Sequence, residues 1–296
     1  MRLVSKKTLL LFSLPGLVFM GFFLIFPIIK MMIDSFFQFD ITGNSTFIGF
    51  GNYVQAILND TFTVPLGNTI KYVVIAVSAE LILGLLFALV LENRFAGSRT
   101  IRSLLLTPLM IAPLVAGLIW RLMFSAQFGI INQVLINFHV IRTSSDILWL
   151  ADERLALIAC CIADIWLTTP FMMLMILAGL QTVDSEILEA SRIDGAGLFR
   201  QIISIKIPVI KPILLTALSI RIIDAARTFD IIWTMTQGGP NRFSEVLGTV
   251  IYKTLTRFNR PGHASAMAIV FIIVLVVFTL VFMQSLWRKK KTGVTK

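Results

Sequence analysis

The sequence predicts an all-α, polytopic membrane helix bundle. Three observations carry that prediction: an extremely apolar composition, long runs almost free of charge, and basic residues concentrated in alternate gaps between them. Of 296 residues, 57% are hydrophobic and 14% charged, and the mean hydropathy is +0.88, far above a soluble globular chain. A bilayer-spanning helix needs about 20 mostly apolar residues. Backbone groups in hydrocarbon must be satisfied within their own segment, so such runs are expected as helices. None shows the alternation of a membrane barrel.

Five spans are clear. Residues 9–29, 103–120 and 264–287 carry no charge, while 73–91 contains only Glu80 and 155–180 only Asp164. A sixth is weaker: after Pro208 and Pro212 an apolar run reaches Ile220, and then Arg221, Asp224, Arg227 and Asp230 follow at three-residue intervals. It reads as a span with a polar outer half. Arg2, Lys6 and Lys7 make a signal-like start, but the next apolar run is 21 residues long without a small-x-small cleavage site, so a retained first helix is expected.

Orientation follows the basic residues. Segments 1–8, 92–102 and 288–296 hold eleven Lys and Arg in 28 residues, whereas segments 30–72, 121–154 and 221–263 hold eleven in 120. The first set is expected to be cytoplasmic, with both termini inside. The Arg288–Lys291 cluster beside the last run favours six spans over five, giving one membrane domain over 1–296.

Several function classes fall away. The net charge of +10 suits loops facing anionic lipid headgroups, not nucleic acid. Cys160 and Cys161 are adjacent within a span and supply neither a disulfide framework nor a metal set, so packing is expected. His139 and His263 stand alone, far from any ligand cluster. There is no internal repeat and no G-x-x-x-x-G-K-S/T stretch, hence no P-loop for ATP phosphates.

The informative cytoplasmic segment runs from Asp184 to Pro212. Asp184 or Ser185 caps a helix start, Glu186 suits its positive end, and Gly195 with Gly197 ends it. The result is a short helix, a bend and a second short element. Ala190, Ser191, Gly195, Ala196 and Gly197 let another backbone approach, with Glu189, Arg192 and Asp194 at the border. Two readings are open from the residues alone: an element that docks in a cleft of a soluble partner, or an ordinary amphipathic interfacial loop.

Glu189-Ala190-Ser191, Asp194-Gly195-Ala196-Gly197, then Ile205-x-Ile207-Pro208 and Pro212 resemble the EAA loop of ABC importer permeases. In that pattern E-A-A is followed by D-G-A and I-x-L-P-x-x-x-P. Ser191 stands for the second alanine and Ile207 for the leucine. Three further stretches extend the resemblance to nearly the whole chain and to its carbohydrate-uptake branch. They are Phe47-Ile48-Gly49-Phe50-Gly51-Asn52-Tyr53, Trp166-Leu167-Thr168-Thr169-Pro170-Phe171, and Phe229-Asp230 leading to Thr236-Gln237-Gly238-Gly239-Pro240, with Met235 in place of a leucine.

The resemblance implies that the loop forms a coupling helix seated in an ATP-hydrolysing subunit, with Glu189, Ala190, Ser191, Asp194, Gly195 and Ala196 in that role. It also implies a second homologous permease, two ATP-binding cassette subunits, an extracytoplasmic solute-binding protein and a sugar or polyol substrate. The setting would be the bacterial cytoplasmic (inner) membrane. ATP and Mg would be bound by the partner ATPase, with no cofactor and no covalent chemistry in this chain.

Ionisable groups inside a membrane cost about 2.5–3.5 kcal/mol at a helix centre, so they face a bundle interior or a wet cavity. Counted from Arg154, Asp164 is about 15 Å deep. Thr168 shares its face, while Trp166 is either an aromatic platform or a packing residue. Arg221, Asp224 and Thr228 fall at i, i+3 and i+7, a stripe suited to sugar hydroxyls. The alternative is an ion-pair ladder, Arg221 with Asp224 and Arg227 with Asp230; the two readings are compatible. Trp120 and Arg121 are expected at an outer interface. A secondary transporter using Asp164 as a proton relay leaves the loop unexplained, and an intramembrane enzyme finds no His beside Asp164.

Overall fold

The structure, a computed structural model, describes residues 6–40, 43–93 and 95–291. The expected cytoplasmic ends thus lie in part, at 1–5 and 292–296, outside the described residues. The chain divides into two compact units, Met1–Thr63 with Val250–Val274, and Val64–Thr249 with Leu275–Lys296.

In the first unit, α1 (Lys6–Met20), a π-helical turn (Gly21–Ile25) and α2 (Phe26–Asp34) follow without a break. Leu10–Asp34 is one apolar run with none of its apolar window buried. A short hairpin interrupts the otherwise helical course: β1 (Phe37–Phe39) pairs antiparallel with β2 (Ser45–Phe47), Phe37 opposite Phe47. Their rings meet edge-on at 5.5 Å, a cross-strand aromatic pair that favours the extended form. α3 (Gly51–Leu58) closes the turn. Its buried Asn52 amide donates to the Ser35 and Phe37 carbonyls, both at 2.9 Å, and the Tyr53 hydroxyl lies 2.7 Å from Ser35 Oγ. The 47–53 motif is therefore a clip that satisfies backbone left over between helix and hairpin.

The long helix α4 (Asp60–Glu92) leads to α5 (Ser98–Leu106), a 3-10 turn (Thr107–Met110) and α6 (Pro113–Met123). Here the run expected as a span over 103–120 is not one straight helix, because its two pieces meet at 100°. Pro113 forbids the helical conformation to the residue before it; Ala112 is extended at ψ 138° and Ile111 at ψ 134°. Conversely the weaker run proves long: α9 (Ser185–Ile193) is followed by α10 (Leu198–Gln201), a π-helical turn (Ile202–Lys206), α11 (Ile207–Ala226) and α12 (Asp230–Met235), and Leu198–Met235 is apolar enough to cross. Between these regions lie α7 (Ile130–Asn137) and α8 (Ala156–Leu180); α13 (Leu247–Thr256) and α14 (Pro261–Lys291) complete the chain. Among the described residues five helical runs can cross a bilayer, or six if the bent pair is one span.

The most buried of these runs is α8, and the core of the second unit forms around it. One cluster joins Cys160, Cys161 and Leu167 of α8 to Tyr72 and Ala76 of α4 and to Ile231 and Ile232 of α12. The second joins Met172, Met173 and Ile176 to Ala88 of α4 and to Ile210 and Ala217 of α11. The two cysteines pack, as their position in a span predicts. α4 comes so close to α8 that a Cβ on Gly84 would meet Met172 Cβ at 2.9 Å and Met173 N at 3.0 Å.

The segment after α7 hangs on one buried amide. Asn132 donates to the Ser144 carbonyl at 2.8 Å and the Ile147 carbonyl at 3.0 Å, and accepts from the Trp149 indole at 2.8 Å. Asn132→Leu leaves three partly buried polar groups without this partner, at a cost of up to about 1 kcal/mol each. The purified chain should melt earlier and be cleaved faster by protease within 138–149.

Candidate functional site

Four polar side chains from three helices converge in the apolar interior of the second unit. Glu80 of α4 is fully buried, and Asp164 of α8 and Arg221 of α11 are each 5% exposed. Arg221 grips Glu80 with two parallel bonds, Nε to Oε2 at 2.6 Å and Nη2 to Oε1 at 2.8 Å. Its Nη2 also reaches Asp164 Oδ2 at 3.1 Å. Thr168 Oγ1 lies 2.8 Å from Glu80 Oε1 and 2.7 Å from the Asp164 carbonyl. A fork of this kind matches the planar guanidinium to a carboxylate.

The expected site residues therefore part company. Asp164, Thr168 and Arg221 come together, and Glu80 joins them. Asp224 does not form a rung with Arg221; it pairs at 2.5 Å with Arg227, in side chains 38% and 67% exposed. The expected ladder is replaced by one buried interhelical group and one exposed pair. The expected stripe is not the face of one helix throughout, because α11 ends at Ala226 and Thr228 lies beyond it. Trp166 packs edge-on against Trp120 at 5.9 Å, and Trp120 continues to Phe124 at 5.3 Å. Trp120 thus belongs to the inner packing, not to an outer belt, while Arg121 Nη1 donates to the Thr234 carbonyl at 3.2 Å. Trp166 also walls an apolar cavity of about 390 Å³ with Phe87, Pro108 and Ile165.

Glu80 was visible as the lone charge of its run, and the cost argument that singled out Asp164 applies equally to it. What the sequence does not disclose is that α11 brings one arginine to both.

The loop between α8 and α11 is built by local rules. Asp184 caps α9, its carboxylate accepting from Glu186 N at 3.0 Å. The C-terminus closes when Gly195 N donates to the Arg192 carbonyl at 3.0 Å and Ala196 N to the Ser191 carbonyl at 2.9 Å. That double bond pattern needs a left-handed residue between, and Gly195 sits at φ +77°. Gln201, unremarked in the sequence, is buried and ties the bend, donating to Ser191 Oγ at 3.0 Å and the Ala196 carbonyl at 3.3 Å. Ser191 is buried and Ala196 half-buried, while Glu189, Ala190, Asp194 and Gly195 are exposed. So are Ile193 at 89% and Leu198 and Phe199 at 77% each.

Removing one partner of a buried ion group is strongly destabilising, whereas replacing the whole group by neutral residues costs far less. Arg221→Met alone should lower the stability of the purified chain by about 3–5 kcal/mol. Adding Glu80→Gln and Asp164→Asn should recover most of that loss in the same detergent unfolding assay.

Residues 80–291 match the family model described as binding-protein-dependent transport system inner membrane component. The trehalose/maltose transport system permease protein MalF of Thermococcus litoralis is 34% identical, over 93% of this chain and 92% of that protein. The sulfoquinovosyl glycerol transport system permease protein SmoG of Agrobacterium fabrum is 33% identical, over 91% and 87%. Among solved structures, a bacterial ABC transporter involved in the import of the acidic polysaccharide alginate holds a chain of the same fold, TM-score 0.82 at 20% identity over 98% of both chains. These relatives are transport subunits rather than enzymes. The chain belongs to the family of inner membrane components of binding-protein-dependent transport systems, an ABC transporter permease.

Proposed function

We propose that this chain is the permease subunit of an ATP-driven importer for a sugar, oligosaccharide or polyol. The observation that carries the reading is the α9–α10 loop: a capped helix stopped at Gly195 and tied by Gln201, bearing the E-A-S and D-G-A motifs and presenting Ile193, Leu198 and Phe199 outward. Large apolar side chains exposed on a short, internally braced element suit a protein partner. The cargo named for the two relatives, trehalose/maltose and sulfoquinovosyl glycerol, favours carbohydrate.

In this reading 1–296 is one permease domain of six spans with both ends in the cytoplasm, and α9 is the coupling helix between the fourth and fifth. A second, similar permease completes the pathway, and an extracytoplasmic binding protein delivers the solute. Two ATP-binding cassette subunits, which bind ATP and Mg, grip Glu189, Ala190, Ser191, Asp194, Gly195 and Ala196. Their closure on ATP displaces the loop, and α11, which follows it with only a π-helical turn between, carries that motion into the membrane. The solute path runs past Asp164, Trp166, Thr168, Arg221, Asp224 and Thr228. Asp164, Thr168 and Arg221 already satisfy one another, so they brace the wall. Asp224 and Thr228 are left to exchange hydrogen bonds with hydroxyls.

The chain should co-purify with an ATPase whose hydrolysis rises when the loaded binding protein is added. Glu189→Cys should react with a membrane-impermeant maleimide in inside-out vesicles stripped of the ATPase and stay silent in intact cells; the opposite pattern removes the coupling role. Uptake that persists without ATP on an ion gradient favours secondary transport instead. Asp224→Ala should weaken uptake by about tenfold, the scale of one lost charge-assisted hydrogen bond, without loss of assembly.

A further inference from the structure

A second ion pair joins the same two helices as the Arg221 group. Lys206 Nζ lies 2.5 Å from Glu92 Oε2, with the side chains only 13% and 16% exposed. Glu92 is the last residue of α4, and Lys206 closes the π-helical turn that leads from the loop into α11. Glu80 lies twelve residues before Glu92, about 18 Å along α4, while Arg221 lies fifteen residues after Lys206, about 22 Å along α11. The pairs Glu92–Lys206 and Glu80–Arg221 thus hold two antiparallel helices at two widely separated points.

Neither point follows local rules. A glutamate at a helix C-terminus meets the negative end of the dipole, the unfavourable sign, and Lys206 supplies the charge that offsets it. The π-helical turn sets the direction in which Lys206 leaves the helix; such turns accompany functional sites. Half-dry ion pairs add little net stability because desolvation consumes most of the attraction. What they define is register, since each charge is tolerated only opposite its partner.

We propose that Glu92–Lys206 and Glu80–Arg221 form a two-point clamp that makes α4 travel with α11. Glu92 and Lys206 are then positioning residues for transport: a displacement arriving through α9 and α10 reaches the interior through two helices moving as one. This inference rests on the importer reading, because it assumes that the loop is the element being moved.

The test uses the chain co-purified with its ATPase partner, with ATP plus orthovanadate as the probe. Spin labels go on Val74→Cys in α4 and Ile220→Cys in α11, both exposed; the native Cys160 and Cys161 are buried. The 74–220 separation should stay constant within about 2 Å between the nucleotide-free and vanadate-trapped states, the scale of packed-helix shifts. In Glu92→Lys or Lys206→Glu it should change or broaden on trapping, with co-purification retained, and the double swap Glu92→Lys/Lys206→Glu should restore constancy. A parental separation that changes, single variants that hold it constant, or a swap that fails to restore it overturns the clamp. Should a single variant not assemble, recovery of assembly in the double swap decides in the clamp's favour, and failure decides against it. Ile193→Cys, 89% exposed, keeps the two ideas apart: its reaction with a soluble maleimide should be blocked by the ATPase, and free reaction in the complex overturns the importer reading itself.

Discussion

The membrane part of the second unit is arranged around a guanidinium almost wholly withdrawn from water. Arg221 at 5% exposure is tolerable only because Glu80 and Asp164 supply acceptors at 2.6–3.1 Å, and those acceptors arrive on different helices. Three desolvated charges tolerate one geometry and penalise every alternative, so they select helix register more than they add stability. The surrounding packing obeys the same requirement. Gly84, one turn beyond Glu80, removes the side chain that would hold α4 away from Met172 of α8. The contact that shortens Glu80–Thr168 is thus continued a turn later as a close helix approach.

The loop between α8 and α11 is specified in the opposite way. Its geometry comes from neighbours in sequence: Asp184 on Glu186 N, Gly195 and Ala196 on the last carbonyls, Gln201 on Ser191 ten residues before it. Such an element keeps its shape without tertiary support, which leaves Ile193, Leu198 and Phe199 free of the chain's own core. In the importer reading, a self-braced loop joined to a charge-registered bundle is a mechanical combination: one part would hold its form when pushed, the other its alignment.

The contrast explains what was legible in the sequence. Spans at 73–91, 155–180 and 264–287 follow from composition alone and coincide, but for the cap residue Leu155, with parts of α4, α8 and α14. The loop was legible because caps and glycines act over four residues. The bend in the 103–120 run was not legible because hydropathy is blind to Pro113, whose effect falls on Ala112 and breaks the rod. The break in the 221–228 stripe was not legible because helical periodicity does not show that the helix stops at Ala226. Glu80 with Arg221, and Glu92 with Lys206, are separated by more than a hundred residues, and no local pattern pairs them. A charge inside an apolar run shows that a partner exists without showing which.

Exposure then sorts the polar residues by what they can do. Within the importer reading, a solute can trade hydrogen bonds only with groups that can release their present partner at small cost. Arg227 and Asp224, 67% and 38% exposed, exchange with water already, so a hydroxyl replaces water there with little penalty. Arg221 and Asp164 cannot part without stranding a charge in hydrocarbon. In that reading, polar residues deep in the bundle set where the helices lie, and the exposed ones face the solute. The same residue type, an aspartate on or beside a spanning helix, takes either role according to whether water can reach it.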